Sequence, residues 1–394
     1  MSSLSSPAAQ SAALVAPVAL AADPGAIVQR LSALDRFLPL WIFIAMALGL
    51  LLGRMFPGLG AALDRVQITG VSVPIALGLL WMMYPVLAKV RYETIGRHIE
   101  NRRLLGTSLV LNWVVGPLVM FVLAWVFLPD MPEYRNGVIL IGLARCIAMV
   151  LIWNTLACGS GEIAAVLVAL NSVFQILMYS FLGWLFLSAV PGWFGAEAAV
   201  VDVSMWEIAK SVLIFLGIPL FAGYLTRRIL VNRKGGHWYD NTFMPKFGPT
   251  ALIGLLYTIV LMFAMQGDRI LQLPFDVLRI ALPLAAYFFV MFGLAFLLSR
   301  KLGFGYQETA SLSFTAAGNN FELAIAVAVA TFGIASGEAL AAVVGPLIEV
   351  PALIGLVYVS LWAGRKYFGF TPTAATVTVY APVAHAAATA GSVK

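Results

Sequence analysis

Charge is what this sequence has least of. Asp, Glu, Lys and Arg make up 11% of its 394 residues while 61% are hydrophobic; an average soluble domain has about 25% charged residues. A water-soluble fold of this size cannot clothe its surface with so few charges. Cysteine is nearly absent: Cys146 and Cys158, both in or beside one apolar stretch, offer neither a disulfide framework nor a structural zinc site. The three histidines, His98, His237 and His385, all fall outside the apolar stretches, so no imidazole is placed to carry protons within a membrane. There is no His-Glu-x-x-His, no Asp-rich metal motif and no nucleophile elbow, which argues against an intramembrane enzyme and leaves no cofactor to expect. The formal charge of +6 comes from basic residues in short clusters between apolar runs. Such clusters read as membrane topology rather than as a nucleic-acid surface.

What the chain does have is apolar windows of about 20 residues, the length that crosses ~30 Å of hydrocarbon. Ten spans are expected, at about 37–54, 71–88, 104–128, 137–157, 163–190, 207–226, 249–266, 274–299, 308–332 and 338–363. Basic clusters follow span 2 (Lys89, Arg91, Arg97, Arg102, Arg103), span 6 (Arg227, Arg228, Arg233, Lys234, Lys246), span 8 (Arg300, Lys301) and span 10 (Arg365, Lys366). The loop after span 5 holds Glu197 and Asp202 without Lys or Arg. By the positive-inside rule both termini are cytoplasmic, as an even number of spans in an inner membrane requires. The Ala- and Ser-rich residues 1–36 read as a disordered cytoplasmic tail, since no basic residue precedes the apolar stretch Ala12–Ala22 as it would in a signal peptide. Residues 367–394 form a C-terminal tail with no assigned structure, leaving 37–366 as one ten-helix domain.

The domain repeats itself. Gly78-Leu79-Leu80-Trp81 matches Gly254-Leu255-Leu256-Tyr257 at an offset of 176. Met120-Phe121-Val122-Leu123-Ala124 matches Met291-Phe292-Gly293-Leu294-Ala295, and Ala164–Leu170 matches Ala341–Leu347, in the same order. Five spans per unit is odd, so the second unit (about 207–366) must lie upside down relative to the first (about 37–190). The expected fold is therefore an all-α membrane protein of ten transmembrane helices in two inverted five-helix repeats, the layout of many secondary transporters.

In such folds the site lies at the midplane, where interrupted helices occupy corresponding positions. Spans 4 and 9 are the polar pair: Gly142-Leu143-Ala144-Arg145-Cys146 and Gly318-Asn319-Asn320-Phe321-Glu322. The offset of 176 aligns the glycines and sets Cys146 opposite Glu322. Glu322 and Glu349 are the acidic residues well inside spans, and Arg145 is the most deeply placed base; such groups mark ion or substrate pathways. Arg145 is open to a second role, as a structural partner of a carboxylate tying spans 4, 9 and 10 together, and Cys146 to that of a small buried hydrophobe. Asn154, Asn171 and Gln175 either line the site or bond across helices as packing glue. Pro346 and Pro351 flank Glu349 and are expected to break span 10. Cys158 would lie ~18 Å from Cys146 along an unbroken helix, too far to share one ion.

The stretch Gly142–Val150, followed by Trp153-Asn154, Leu156-Ala157-Cys158-Gly159 and Ala169-Leu170-Asn171-Ser172, closely resembles the arsenical-resistance-three family of arsenite permeases; Gly318–Ala324 is similar to that family's span-9 signature. One position departs, Thr155, where the family often has an acidic residue. The resemblance implies a member of the bile acid/arsenite/riboflavin superfamily, with spans 1, 2, 6 and 7 as a panel and the others as a core in which discontinuous helices 4 and 9 cross. It implies efflux of arsenite, sometimes antimonite, in exchange for protons, with Cys146 meeting arsenic(III) and Glu322 carrying the proton. Arsenite at neutral pH is mostly an uncharged trihydroxide that favours thiolate sulfur. One thiol, with Arg145 beside it to favour the thiolate, and polar groups from Asn154, Asn171, Gln175, Asn319, Asn320 and Glu349 would bind firmly enough to capture and loosely enough to release. The competing expectation is a sodium-coupled carrier of organic anions from the same superfamily, in which the oxygens of Asn319, Asn320, Glu322 and Glu349 hold a hard cation.

Overall fold

A computed structural model describes residues 37–370, apart from Pro57, 64–66, 69–70, 92–100, Ala148, 196–204 and 271–273. Twelve main helices carry the fold: α1 (Leu38–Met55), α2 (Val73–Lys89), α3 (Arg102–Phe127), α4 (Pro132–Leu143), α5 (Met149–Leu156), α6 (Gly161–Trp193), α7 (Met205–Lys234), α8 (Thr250–Ile270), α9 (Pro274–Lys301), α10 (Tyr306–Ala317), α11 (Phe321–Phe332) and α12 (Gly337–Phe368). The one strand pairing among the described residues is two residues a side, Gln67–Ile68 against Val71–Ser72. Six described helical runs are long and apolar enough to cross a membrane, and α1, α2 and α11 are shorter apolar helices. The expected tails lie outside the described residues except for 367–370; α12 runs through Tyr367 to Phe368, and Phe370 stacks on Tyr306.

Proline explains much of the local shape. Four helical runs contain a π turn, at Leu111–Val115, Leu185–Ala189, Leu213–Gly217 and Tyr239–Phe243. Each stands one residue ahead of a proline: Pro117, Pro191, Pro219 and Pro245. A proline ring clashes with the carbonyl four residues back and leaves it without a donor, and one wider turn moves that carbonyl aside. The expected break of span 10 is not found. The helix α12 runs without interruption through Pro346 and Pro351 for 32 residues. Each proline removes one rung only, and contacts from α4, α9 and α11 hold the rod together.

Two sets of helices pack closely. In the first, α1 lies against α8, α8 against α2, and α2 against α7. The contact between α2 and α8 is reciprocal. A Cβ on Gly78 would stand 2.6 Å from Thr258 Oγ1 and 2.9 Å from the Tyr257 ring. One on Gly254 would stand 2.8 Å from the Met82 backbone nitrogen and 3.1 Å from the Trp81 ring. The two glycines of the repeated Gly-Leu-Leu-aromatic motif thus let each helix press on the residues three and four positions beyond the other's glycine. Small residues at such contacts are how helices approach in lipid, where no hydrophobic gain drives them together. In the second set, α9 packs on α10, α3 and α12, and α4 on α3 and α12. Two breaks, after Leu143 and after Ala317, fall inside this second set.

Candidate functional site

The two breaks meet. The amide of Cys146 donates to the Gly318 carbonyl (3.2 Å) and the amide of Asn320 to the Ala144 carbonyl (3.1 Å), so Arg145 and Asn319 form a one-residue antiparallel bridge. Backbone freed from two helices pairs with itself, which satisfies groups that lipid could not. Gly318 is required at this contact: a Cβ there would stand 2.9 Å from Cys146 Cβ.

Each new helix start is capped from the break. Asn320 Oδ1 accepts the Leu323 amide (3.0 Å) at the head of α11, in the manner of an N-cap asparagine. Cys146 Sγ accepts the Val150 amide (3.3 Å) at the head of α5. Sulfur is a weak acceptor, but the position places a thiolate at the positive end of a helix. Cys146 is 3% exposed. Glu322, in the first turn of α11, is partly exposed, whereas Glu349 is buried at 4% and lies against the Asn319 backbone within electrostatic reach of Glu322.

Arg145 is fully buried. Its guanidinium donates to Tyr287 Oη (2.7 Å), to the Ala316 carbonyl (3.5 Å) and to the Gly142 carbonyl, and its amide donates to Gln175 Oε1 (2.9 Å). The partners are a phenol and carbonyls; among the described residues no carboxylate pairs with it. Leaving such a charge unbonded at mid-membrane costs at least ~2.5–3.5 kcal/mol. Tyr287 is a residue that the sequence reading missed. A tyrosine within an apolar span, four residues after Pro283, was the available signal. Gly116, just beyond the first π turn, admits the pair: a Cβ there would stand 2.8 Å from Arg145 Nη1 and 3.0 Å from Tyr287 Oη.

Several buried polar atoms in this region have no protein partner: Asn171 Nδ2, Gln175 Nε2, Asn319 Oδ1, Asn320 Nδ2 and Glu349 Oε1. An unpaired buried polar group costs about 1–3 kcal/mol. Asn154 stands apart. Its Oδ1 accepts from Ser311 Oγ (2.8 Å) and its Nδ2 donates to the Ser160 carbonyl (3.2 Å), which ties the end of α5 to α10 as packing glue. Cys158 closes α5 at φ 55°, beside Ala157, whose carbonyl accepts from Tyr306 Oη (2.8 Å). A cavity of about 140 Å³ lies elsewhere, among Leu104, Ile163, Leu167 and Glu308, and shares no residue with the breaks.

A second polar corner forms where α4, α9 and α12 begin. Arg279 hydrogen-bonds Asp130 and holds its carboxyl below the ordinary aspartate value. Tyr134 donates to Asp276 (3.1 Å), Glu133 accepts the Gly337 amide (3.0 Å), and Asn136 donates to the buried Glu338 (3.4 Å).

A bundle of apolar helices in which two broken helices are bonded to each other has the build of a membrane transporter. Comparison with known proteins agrees: residues 76–273 match the Sodium Bile acid symporter family. The Arsenical-resistance protein Acr3 of Corynebacterium glutamicum is 55% identical over 344 residues, 87% of this chain and 93% of that protein. The Acr3 protein of Alkaliphilus metalliredigens is 34% identical, covering 83% and 92% of the two chains, and an uncharacterised transporter of Synechocystis is 35% identical, covering 83% and 88%. The chain belongs to the Acr3 arsenical-resistance branch of the Sodium Bile acid symporter family.

Proposed function

We propose that this protein exports arsenite from the cytoplasm across the cell membrane in exchange for protons, through a site where the broken helices α4/α5 and α10/α11 cross. The observation that carries the reading is the sulfur of Cys146, used as a helix cap, beside partnerless polar atoms at the meeting of the two breaks. Arsenic(III) bonds thiolate sulfur, and its hydroxyls both donate to and accept from groups such as Asn319 Oδ1, Glu349 Oε1, Asn171 Nδ2 and Gln175 Nε2. Arg145, held by Tyr287 and carbonyls, brings a positive charge to the break that carries Cys146. Glu322 has some exposure and exchanges the proton. Cys146 is buried, so arsenite reaches it only when the half-helices move.

On this reading α4/α5 and α10/α11 each count as one span, the bundle has ten, and both termini are cytoplasmic. The repeats are inverted about a pseudo-two-fold axis, which the reciprocal packing of Gly78 and Gly254 supports. The set α1, α2, α7 and α8 is then the panel, and the remaining helices are the core. The test is arsenite uptake into everted vesicles. Accumulation that rises with an imposed pH gradient and ignores sodium supports proton exchange; accumulation that follows sodium and ignores pH overturns it. The sodium reading has one observation in its favour, the unpartnered oxygens of Asn319 and Glu349, so replacing sodium by choline belongs in the same assay. Antimonite as competitor asks whether the site accepts the heavier metalloid.

A further inference from the structure

We propose that Glu338 is a second proton-binding site, at the outer mouth, which loads the proton that later reaches Glu349 and Glu322. The proposal deepens the proton-exchange reading and rests on it. Glu338 sits in the first turn of α12 and is 5% exposed, yet the side chains that bond its carboxyl, Asn136 (Nδ2 at 3.4 Å) and Ser336, are neutral, and no described side chain pairs it with a cation. A carboxyl placed this way is suited to holding a proton, since neither form is locked by a counter-charge.

Its position on the helix points the same way. Glu338 and Glu349 are 11 residues apart, which is three turns and about 20° of rotation, so they share one face about 16.5 Å apart. The hairpin of α11 and α12 gives the same depth. The chain runs ten residues from Glu322 to Phe332, turns, and returns 11 residues from Glu338 to Glu349, bringing the two inner carboxyls level and leaving Glu338 at the open end. On the shared face the intervening residues are Ala341, Ala342, Gly345 and Pro346, and α4 presses on its outer end, where a Cβ of Gly137 would stand 2.8 Å from Ala341 Cβ. The ring of Phe321 lies where a Cβ of Gly345 would be. Phe321 directly precedes Glu322, so movement of α11 would shift the plug between outer and inner carboxyls. The transfer balances when water is the relay: external water delivers a proton to the Glu338 carboxylate, and the neutral acid gives it to water admitted along this face as α11 moves, which passes it to a carboxylate at the crossing.

The groups facing this corner are few. From α4 they are Glu133, bonded to the Gly337 amide, and Tyr134; Arg135 turns away to the Pro129 carbonyl and the Trp125 ring. From α9 come Asp276, bonded to Tyr134, and Arg279, engaged with Asp130. The only charged residue of α11 is Glu322 at its far end, α5 has none, and Arg54 of α1 and Glu308 of α10 stand at helix ends.

The test uses the full-length protein in everted vesicles with Glu338→Gln, which keeps the oxygen that Asn136 bonds but cannot titrate. Two activities are measured: exchange of labelled for unlabelled arsenite without a pH gradient, and accumulation driven by one. The expected result is exchange and thermal stability like wild type with accumulation reduced roughly tenfold or more, and recovery of accumulation in Glu338→Asp. Wild-type accumulation in the Gln variant overturns the proposal, as does parallel loss of exchange and accumulation in protein that is folded. If wild-type vesicles themselves ignore the pH gradient, the proton-exchange reading has failed rather than the placement of Glu338. Should Glu338→Gln not reach the membrane, a carbodiimide, which adds to protonated buried carboxyls, decides on wild-type protein. An adduct at Glu338 whose yield falls as pH rises is expected, and its absence at every pH overturns the idea.

Discussion

The two broken helices occupy matching places in the chain but are built differently. The first break runs from Leu143 to Met149 and carries a cation and a thiol; the second runs from Ala317 to Phe321 and carries two amides, with a carboxyl just after. The second is short and closed by asparagine, a strong N-cap residue. The first is longer and closed by sulfur, a poor one. On the proposed reading the difference divides the labour: the α11 side would be the fixed support, with a titratable group on its first turn, and the α5 side would be held by a contact that a thiophilic ligand can take over. Two similar breaks thus differ through a few side chains.

Substitutions at the caps break this comparison most directly. The largest effect is expected from Cys146→Ser. The serine hydroxyl is the stronger hydrogen-bond acceptor, so the protein should reach the membrane at wild-type level while arsenite resistance falls to that of cells without it; a resistant Ser variant would free sulfur of any role. Next comes Glu322→Gln, in which accumulation driven by a pH gradient should disappear while arsenite still protects Cys146 from alkylation. Unchanged pH dependence in that variant would take the proton away from Glu322. Asn320→Ala should lower stability by about 1 kcal/mol through loss of the cap, visible as a lower unfolding temperature, with Asn320→Asp restoring most of it; equal stability of the two would remove the contrast between the breaks. Smallest is Cys158→Gly. The left-handed φ there costs a non-glycine residue about 1 kcal/mol, so glycine should be neutral to slightly stabilising and resistance should stay normal.

Much of this was legible because membrane helices advertise themselves. Helix starts and ends fall within a few residues of the expected spans for α1, α2 and α3, where apolar length alone decides. The breaks fall next to Gly142 and Gly318, because glycine and asparagine favour non-helical backbone whatever surrounds them. Other features depend on neighbours that no local pattern reveals. Pro346 and Pro351 look like breakers in isolation, yet packing on several sides carries α12 through them. The bond of Asn154 to Ser311 joins residues 157 positions apart. Tyr287 lies 142 positions from Arg145, and its place in an apolar span marks it as unusual without naming its partner. Glu338 sits at a span edge, where a sequence reading expects solvent.

The π turns bear on how such a chain changes length over generations. A π turn holds one residue more than the α-helical turn it replaces, so the helix beyond it keeps its face despite the extra residue. Removing a residue of α3 ahead of the π turn would rotate everything downstream by about 100° and carry Gly116 away from Arg145 and Tyr287. Removing one within Leu111–Val115, together with the ring at Pro117, would restore an ordinary turn and leave Gly116 aimed at the same pair. The proline-flanked wide turns are thus the places where these helices can gain or lose a residue in the course of descent without scrambling the contacts beyond them.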